Sequence, residues 1–265
     1  MNGAKTQGRG TETLVPSTDT LRLAAVADLH CTKASRGKFR TLFHRMAEDS
    51  EVFLLGGDLT DNGLPEEARV LSQELKEVRG LQMIAVLGNH DYHSDKPREV
   101  QEILGDAGVK FLDGDSVEFK GVGFAGVKGF MGGFDNRMLQ AWGEQGIKVI
   151  VHEAMEESLK LETGLARLKT RHRIVLLHYS PVRATVIGEP AEIYPFLGSS
   201  RLEEALHRHP VTAVFHGHSH YGSPEARTSD DVPVYNVALP LLKRISPGRP
   251  PFRKYEIKLR VEHAK

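Results

Sequence analysis

The chain has 265 residues, 40% of them hydrophobic and 26% charged, with 26 glycines and with Lys+Arg matching Asp+Glu at 35 each. This composition describes a globular protein with one large core, not a disordered or fibrous chain, and the zero net charge withholds the overall basic field that tracking along a long nucleic acid requires. The single cysteine, Cys31, excludes an intramolecular disulfide framework and a thiolate zinc cluster; it fits a reducing, cytoplasmic setting, and no run of about 18 apolar residues marks a transmembrane segment.

The first 20 residues, with Gly3, Gly8 and Gly10 among scattered Thr, Ser and Lys, lack the apolar centre of a signal peptide and read as a flexible tail, leaving residues 21–265 as a single domain. Short apolar, β-branched runs then begin with Val26-Ala27 and recur at Val52-Phe53-Leu54-Leu55, Ile84-Ala85-Val86-Leu87, Ile174-Val175-Leu176-Leu177 and Val214-Phe215. They read as buried strands. Between the first two, Phe39, Leu42, Phe43 and Met46 recur at helical spacing; between the second and third, Leu64, Ala68, Leu71, Leu75 and Val78 do so, with Pro65 in the first turn. Strand, helix and strand in this order predict a largely parallel sheet through the first half.

A further helix is predicted over Pro97 to Leu104, then a strand at Val109 to Leu112 and a β-hairpin, Val117 to Phe119 and Val122 to Phe124, turning at Lys120-Gly121. Gly121 to Gly126 also satisfies a dinucleotide-binding fingerprint, but it leads into Gly129, Gly132 and Gly133 instead of a helix, so that reading is set aside. Ala154, Leu161, Leu165 and Leu168 predict an amphipathic helix from Glu153 to Leu168, a packing element whose position, with the glycine-rich Gly126 to Gly133 segment, also suits a cap or partner surface. Pro181 to Ser200 has little periodicity but holds Arg183, Glu189, Tyr194 and Phe196; Arg183 is a candidate phosphate contact, and Tyr194 or Phe196 a surface for a leaving group. Pro233 to Val237 and the alternating Phe252, Tyr255, Ile257, Leu259 and Val261 read as strands expected to complete a second sheet.

Behind the five buried runs stand five polar blocks: Asp28-Leu29-His30, Gly57-Asp58-Leu59-Thr60-Asp61, Gly88-Asn89-His90-Asp91, His178, and Gly217-His218-Ser219-His220. Open α/β sheets bind ligands at the carboxyl edge of their strands. Carboxylate and amide oxygens mixed with imidazoles suit Mn, Fe, Zn or a similar divalent ion. The candidate ligands Asp28, His30, Asp58, Asn89, His178, His218 and His220 exceed what one tetrahedral ion needs, so two ions sharing a carboxylate is the economical arrangement. Outside the blocks, His93 and His216 lie closest to them in sequence and are candidates for supporting roles; His44, His152, His172, His207, His209 and His263 read as surface or core residues. Cys31, directly after His30, reads as a small residue filling a loop.

In this order, from Asp28 to His220, the five blocks resemble the calcineurin-like metallophosphoesterase family. The resemblance implies an α/β fold, a four-layer α/β/β/α sandwich with two mixed sheets. It also implies two divalent or mixed-valence metal ions, Mn, Fe, Zn or similar. One would be held by Asp28, His30, Asp58 and His220, the other by Asp58, Asn89, His178 and His218, with Asp58 bridging. His90 would lie near the leaving-group oxygen, with Asp61 as the acidic residue that orients it; Asn89, Arg183 and Tyr194 are the candidate substrate contacts. The implied reaction is in-line displacement at phosphorus by a metal-bridging hydroxide without a covalent enzyme intermediate. His90 would serve as general acid or as a cationic clamp. The expected partner is a small phosphorylated molecule, a phosphodiester in preference to a monoester. A nuclease would use the same ions but needs a basic groove, and non-catalytic scaffolds of this fold typically lack ligand residues that are all present here.

Overall fold

The computed structural model describes residues 20–78 and 80–259. Its first half alternates strands and helices as the hydrophobic periods predict: β1 (Thr20–Val26), α1 (Arg40–Glu48), β2 (Val52–Gly56), α2 (Pro65–Leu75), β3 (Gln82–Val86), α3 (Pro97–Gly105) and β4 (Val109–Phe111). β1 to β4 pair in parallel. A hairpin follows, β5 (Ser116–Phe119) with β6 (Val122–Val127), antiparallel, with Lys120 and Gly121 at φ 48° and 76°. Two consecutive positive φ values are what a two-residue hairpin turn needs to match the strand twist. Next come α4 (Gln145–Arg167), β7 (His172–Leu177), the short α5 (Tyr194–Leu197), α6 (Ser200–Leu206), β8 (Ala213–His216), β9 (Glu225–Arg227), β10 (Pro233–Asn236), α7 (Leu239–Ile245) and β11 (Arg253–Lys258).

The strands form a five-stranded sheet, order β11-β1-β2-β3-β4, and a six-stranded sheet, order β5-β6-β7-β8-β10-β9. Side chains of period two then sort themselves between faces. Leu21, Leu23, Ala25, Leu54, Ile84 and Val86 of the first sheet meet Val122, Phe124, Ile174, Leu176, Ala213 and Phe215 of the second in one dry layer. The alternate residues Ala24, Val26, Phe53, Leu55, Met83 and Ala85 pack outward onto Phe43, Met46, Ala68, Leu71, Leu75, Val100 and Leu104 of α1 to α3. Val127, Val175, Leu177 and Val214 likewise pack outward onto Leu161 and Leu165 of α4 and Leu202 and Leu206 of α6. The result is the expected four-layer α/β/β/α sandwich of two mixed sheets. Each fully buried Phe or Leu in these layers contributes about 1.5–3 kcal/mol.

Four details differ from the sequence expectations. β11 does not join the second sheet; it pairs antiparallel with β1, Thr20 opposite Lys258, and closes the edge of the first. Strand periodicity alone carries no information on which open edge a strand covers. α4 begins at Gln145, eight residues before Glu153, because Val149, Ile150 and Val151 stand consecutively and hide the helical period. β9 and α7 are short and were not anticipated. Thr20, the last residue of the expected tail, is the first of β1, and the rest of that tail lies outside the described residues, as do Val261 and His263. Among the described residues no helix is long and apolar enough to cross a membrane.

Candidate metal centre

All parallel strands of both sheets point their carboxyl ends to one edge, and the sheets meet there. Ala27 bridges Ala238, and the Asp28 amide donates to Gly57 O at 2.9 Å, linking the loops after β1 and β2. The five polar blocks leave β1, β2, β3, β7 and β8 at this edge. Four of the candidate ligands hold left-handed backbone conformations, with φ 57° at Asp28, 46° at His30, 48° at Asp58 and 69° at His218. Such conformations are unfavourable for residues bearing a Cβ and persist where the surroundings enforce them, which concentrates them at functional sites. Gly57 (φ 85°) clears space for a ligand: a Cβ there would lie 2.6 Å from His178 Nδ1 and 2.8 Å from Gly88 N.

The candidate ligands fall into two groups, Asp28 with His30 and His220, and Asp58 with His178 and His218, and a third group, His30 with Asp61 and His90, stands beside them; within each, one potential ligand atom per residue lies within 4.8 Å of the others. Ring protons can be placed by their partners, since a carbonyl oxygen only accepts. His178 Nδ1 donates to Gly56 O at 2.9 Å, which turns the lone pair of Nε2 toward Asn89 Oδ1 at 2.9 Å and Asp58 Oδ1 at 3.4 Å. His218 Nε2 donates to Phe196 O at 3.2 Å, leaving Nδ1 for the centre. His220 Nε2 is 3.0 Å from Asp28 Oδ1, while the Asp28 carboxylate also accepts the His218 amide. His30 Nδ1 faces Asp61 Oδ1 at 3.3 Å, and its Nε2 is buried with no hydrogen-bond partner.

The titration of these groups tells the same story. Burial pushes the His178, His30 and His218 imidazoles below their ordinary pKa, His218 to about 3, so none of them holds a proton that would balance the carboxylates. Burial, then the charges of Asp28 and Asp91, drives the Asp58 carboxyl well above the usual range. For Asp28 the burial penalty is outweighed by the His220 hydrogen bond and the surrounding histidines, which bring it to about 2; for His220 burial is outweighed by the bond to Asp28, and its pKa rises. A buried cluster of lone pairs and carboxylates facing one another, with an orphaned imidazole nitrogen, is short of positive charge. Divalent cations fit it: the oxygen and imidazole donors form two sets, and Asp58 stands 3.4 Å from His178 Nε2 of its own set and 3.8 Å from His30 Nε2 of the other.

Residues around the two groups support them. His178 and His218 are each held by a backbone carbonyl, the arrangement that orients metal-binding imidazoles. Asp91, not singled out from the sequence, is fully buried: Oδ1 accepts the Thr60 amide (2.8 Å) and hydroxyl (2.6 Å), and Oδ2 accepts Gly88 N (2.8 Å) and Leu59 N (3.2 Å). It fastens the loop carrying Asp58 to the loop carrying Asn89 and His90. Its position directly after the Gly-Asn-His triplet was the available signal. His216 is buried, donating from Nδ1 to Gly217 O and accepting at Nε2 from Thr185 Oγ1 at 2.9 Å; burial lowers its pKa to about 4. His93 stacks on His90 with ring centroids 4.3 Å apart.

His90 lies 4.5 Å, centroid to centroid, from His30, and its amide donates to Asp58 Oδ1 at 2.8 Å. Its Nδ1 donates at 2.7 Å to the main-chain carbonyl of Asp61, whose carboxylate faces His30. Asp61 thus accepts from His90 through its main-chain oxygen, while its carboxylate stands with the His30 and His90 ring nitrogens, one ligand atom of each within 4.8 Å of the others. Arg183 and Tyr194 pack on each other, guanidinium to ring at 5.9 Å, and line a cavity with Phe134, Arg137 and Pro195 that includes none of the seven candidate ligands. Phe196 reaches the centre only through its carbonyl. Glu189 accepts Tyr221 N at 2.7 Å and Ser219 Oγ at 3.3 Å, holding the His218 to His220 loop. Cys31 is buried with its thiol against Glu67 O, and burial, with Glu74 and Glu67, pushes its pKa up to about 12.

A family model for the calcineurin-like phosphoesterases matches residues 21–222, which include all of these groups. No curated protein sequence matches the chain. Among solved structures, the phosphopantetheinyl hydrolase of Mycobacterium tuberculosis is similar with a TM-score of 0.61 at 14% identity, over 88% of this chain and 95% of that one. A Thermus thermophilus protein is similar at 0.51 and 15% identity over 84% and 92%. The GAP50 anchor in the inner membrane complex of Plasmodium is similar at 0.51 and 13% over 83% and 72%. At these identities the likeness is one of fold. The family match spans most of the chain and both ligand groups, and the chain belongs to the calcineurin-like phosphoesterase family.

Proposed function

We propose that the chain is a dinuclear metal-dependent phosphoesterase that hydrolyses a small phosphodiester, or less readily a phosphomonoester, by in-line attack of water. The observation that carries this reading is the set of imidazole and carboxylate lone pairs gathered without compensating charge: His30 Nε2 is orphaned, and His178 Nε2 faces Asn89 Oδ1 and Asp58 Oδ1. Asp28, His30, Asp58 and His220 would hold one ion, and Asp58, Asn89, His178 and His218 the other. When bound, the ions supply charge neutralisation for the phosphoryl oxygens and a lowered pKa for water.

The protein's own groups provide the rest. With its Nδ1 proton fixed on Asp61 O, neutral His90 presents a lone pair at Nε2, and only the imidazolium form donates from that atom. It is placed to hand a proton to the departing oxygen, and the ring of His93 packed against it limits its rotation. His178 and His218, locked by Gly56 O and Phe196 O, are positioned before substrate arrives, so little reorganisation is needed.

The test is hydrolysis of bis-p-nitrophenyl phosphate and of p-nitrophenyl phosphate by chelator-treated protein resupplied with Mn2+, beside Asp58→Asn. We expect metal-dependent turnover, faster on the diester, and none in the variant. Equal activity in metal-free Asp58→Asn protein would overturn the proposal.

A further inference from the structure

Beside the candidate centre lies a cavity of about 370 Å3 lined by Asn89, Tyr92, Lys128, Phe130, Ile150 and Tyr179, within the range of small-molecule sites. It shares Asn89 with the ligand set. Its wall is continuous with the centre through Tyr179, whose ring centroid is 4.4 Å from that of His218 and 5.4 Å from that of His178. Three aromatic faces surround one ammonium: Lys128 Nζ lies 4.6 Å from the Phe130 centroid, 5.5 Å from Tyr179 and 5.7 Å from Tyr92. Its hydrogen bond is to the neighbouring Gly129 O at 2.9 Å. Among the described residues no carboxylate lies within salt-bridge distance of it. Glu157, the nearest acidic influence, gives one oxygen to Gly129 N and the other to Lys160.

A cation held against ring faces in an apolar cavity is stabilised by those faces but keeps donor capacity unused. Lys128 is also firmly placed, because its main-chain carbonyl accepts both the His178 and the Tyr179 amides at 3.0 Å, which ties the cavity lining to a candidate ligand. Val149, Ile150 and Glu153 of α4 complete the lining. Aromatic walls favour a ring over an aliphatic group of similar area, since offset-stacked and edge-to-face ring pairs gain energy beyond the area they bury.

We propose that this cavity receives the organic substituent of the phosphoryl substrate, and that this substituent is a planar aromatic or heteroaromatic ring carrying an acceptor or anionic group that meets the Lys128 ammonium. The assignment rests on the phosphoesterase reading above, because it takes the phosphoryl group to lie at the Asn89 end of the cavity. Tyr92, Phe130 and Tyr179 are then the ring contacts and Lys128 the residue that reads the substituent.

Binding of three phosphonates to the Mn2+-loaded full chain, followed by calorimetry, separates the parts. Phenylphosphonate should bind about tenfold or more tighter than methylphosphonate, the gain expected from burying one ring, and 4-carboxyphenylphosphonate tighter again. In Phe130→Ala the phenyl-to-methyl ratio should collapse toward one; in Lys128→Met, close in shape but uncharged, the preference for the carboxylated ring should disappear while the phenyl-to-methyl ratio persists. Circular dichroism confirms that both variants are folded, and ratios of affinities within one variant cancel general losses. Equal affinity for phenylphosphonate and methylphosphonate in the wild type would overturn the ring cavity and leave the phosphoesterase reading standing. Failure of all three phosphonates to bind protein that demonstrably carries Mn2+ would overturn both.

Discussion

Replacing Asp91 by Asn tests whether the loops that carry the candidate ligands are held by one buried carboxylate. Four donors converge on it: Thr60 N and Oγ1 on Oδ1, and Gly88 N and Leu59 N on Oδ2. An amide keeps one accepting oxygen and turns an NH2 group at the other two donors. Two hydrogen bonds to a charged acceptor are thus lost, and a donor is set against donors in a site with no access to water. At about 1.5–3 kcal/mol for each bond to a charged group, the loss is roughly 3–6 kcal/mol. That corresponds to a fall in Tm of at least ~6 °C for a chain of this size. Urea unfolding of chelator-treated protein reads the stability, and Mn2+ titration reads the site: because the Asp58 and Asn89 loops are the ones unfastened, Mn2+ affinity should fall as well. A variant within about 0.5 kcal/mol of wild type, the range of an ordinary surface substitution, with unchanged Mn2+ affinity, would refute the argument.

His90→Ala should retain the wild-type Mn2+ stoichiometry by metal analysis and lose about 10²–10⁴ in rate on esters with alkoxide leaving groups, but far less on p-nitrophenyl esters, whose leaving group needs no proton; equal losses on both would remove His90 from proton donation. His216 is buried with its pKa depressed to about 4, so the folded metal-free protein refuses a proton that the unfolded chain accepts below pH 6.5. Stability from this group is therefore complete above pH 6.5 and is lost as the pH falls toward 4, by roughly 3 kcal/mol in all. His216→Asn should make that acid limb shallower in urea midpoints measured from pH 7 to 4, leaving the part due to His178, His218 and His30, and an unchanged slope would show that His216 does not contribute to it. Cys31, with its thiol buried and its pKa raised, should resist alkylation in native protein and react once urea unfolds it; rapid native alkylation would show that the loop after His30 opens.

The sequence made the candidate centre legible because its chemistry is punctuated: each candidate ligand block follows an apolar run, so the positions of Asp28, Asp58, Asn89, His178, His218 and His220 could be read as one strand edge before any distance was known. Period-two alternation likewise separated the inter-sheet layer from the helix-facing layers. Information carried by the third dimension was not legible. β11 reads as a strand in any register, and its partner β1 lies more than two hundred residues away, Thr20 opposite Lys258. Asp61 shows its main-chain oxygen to His90, a relation that side-chain identity cannot express. Arg183 and Tyr194 drew notice as a cation and an aromatic ring after His178, yet the chain folds them onto a separate cavity, while Lys128, Tyr92, Phe130 and Tyr179, scattered over three segments, form the aromatic wall beside Asn89. Asp91 could have been found by asking what fills a buried carboxylate directly behind a tight loop.

The pairing of β11 with β1 also bears on the order in which the molecule can be assembled. β1 delivers Asp28 and His30, yet among the described residues its outer hydrogen-bonding edge is covered by residues 253–258 alone. During synthesis the helices α1 to α3 and strands β2 to β4 can consolidate locally, whereas the flank of β1 waits until residues 253–258 have been made. An interval in which an open strand edge stands next to a cluster of unmatched carboxylates is an interval open to mispairing with other chains. Shortening the chain by this one strand would thus re-expose the edge that bears the first ligand block, and aggregation, more than weakened metal binding, would be its first symptom.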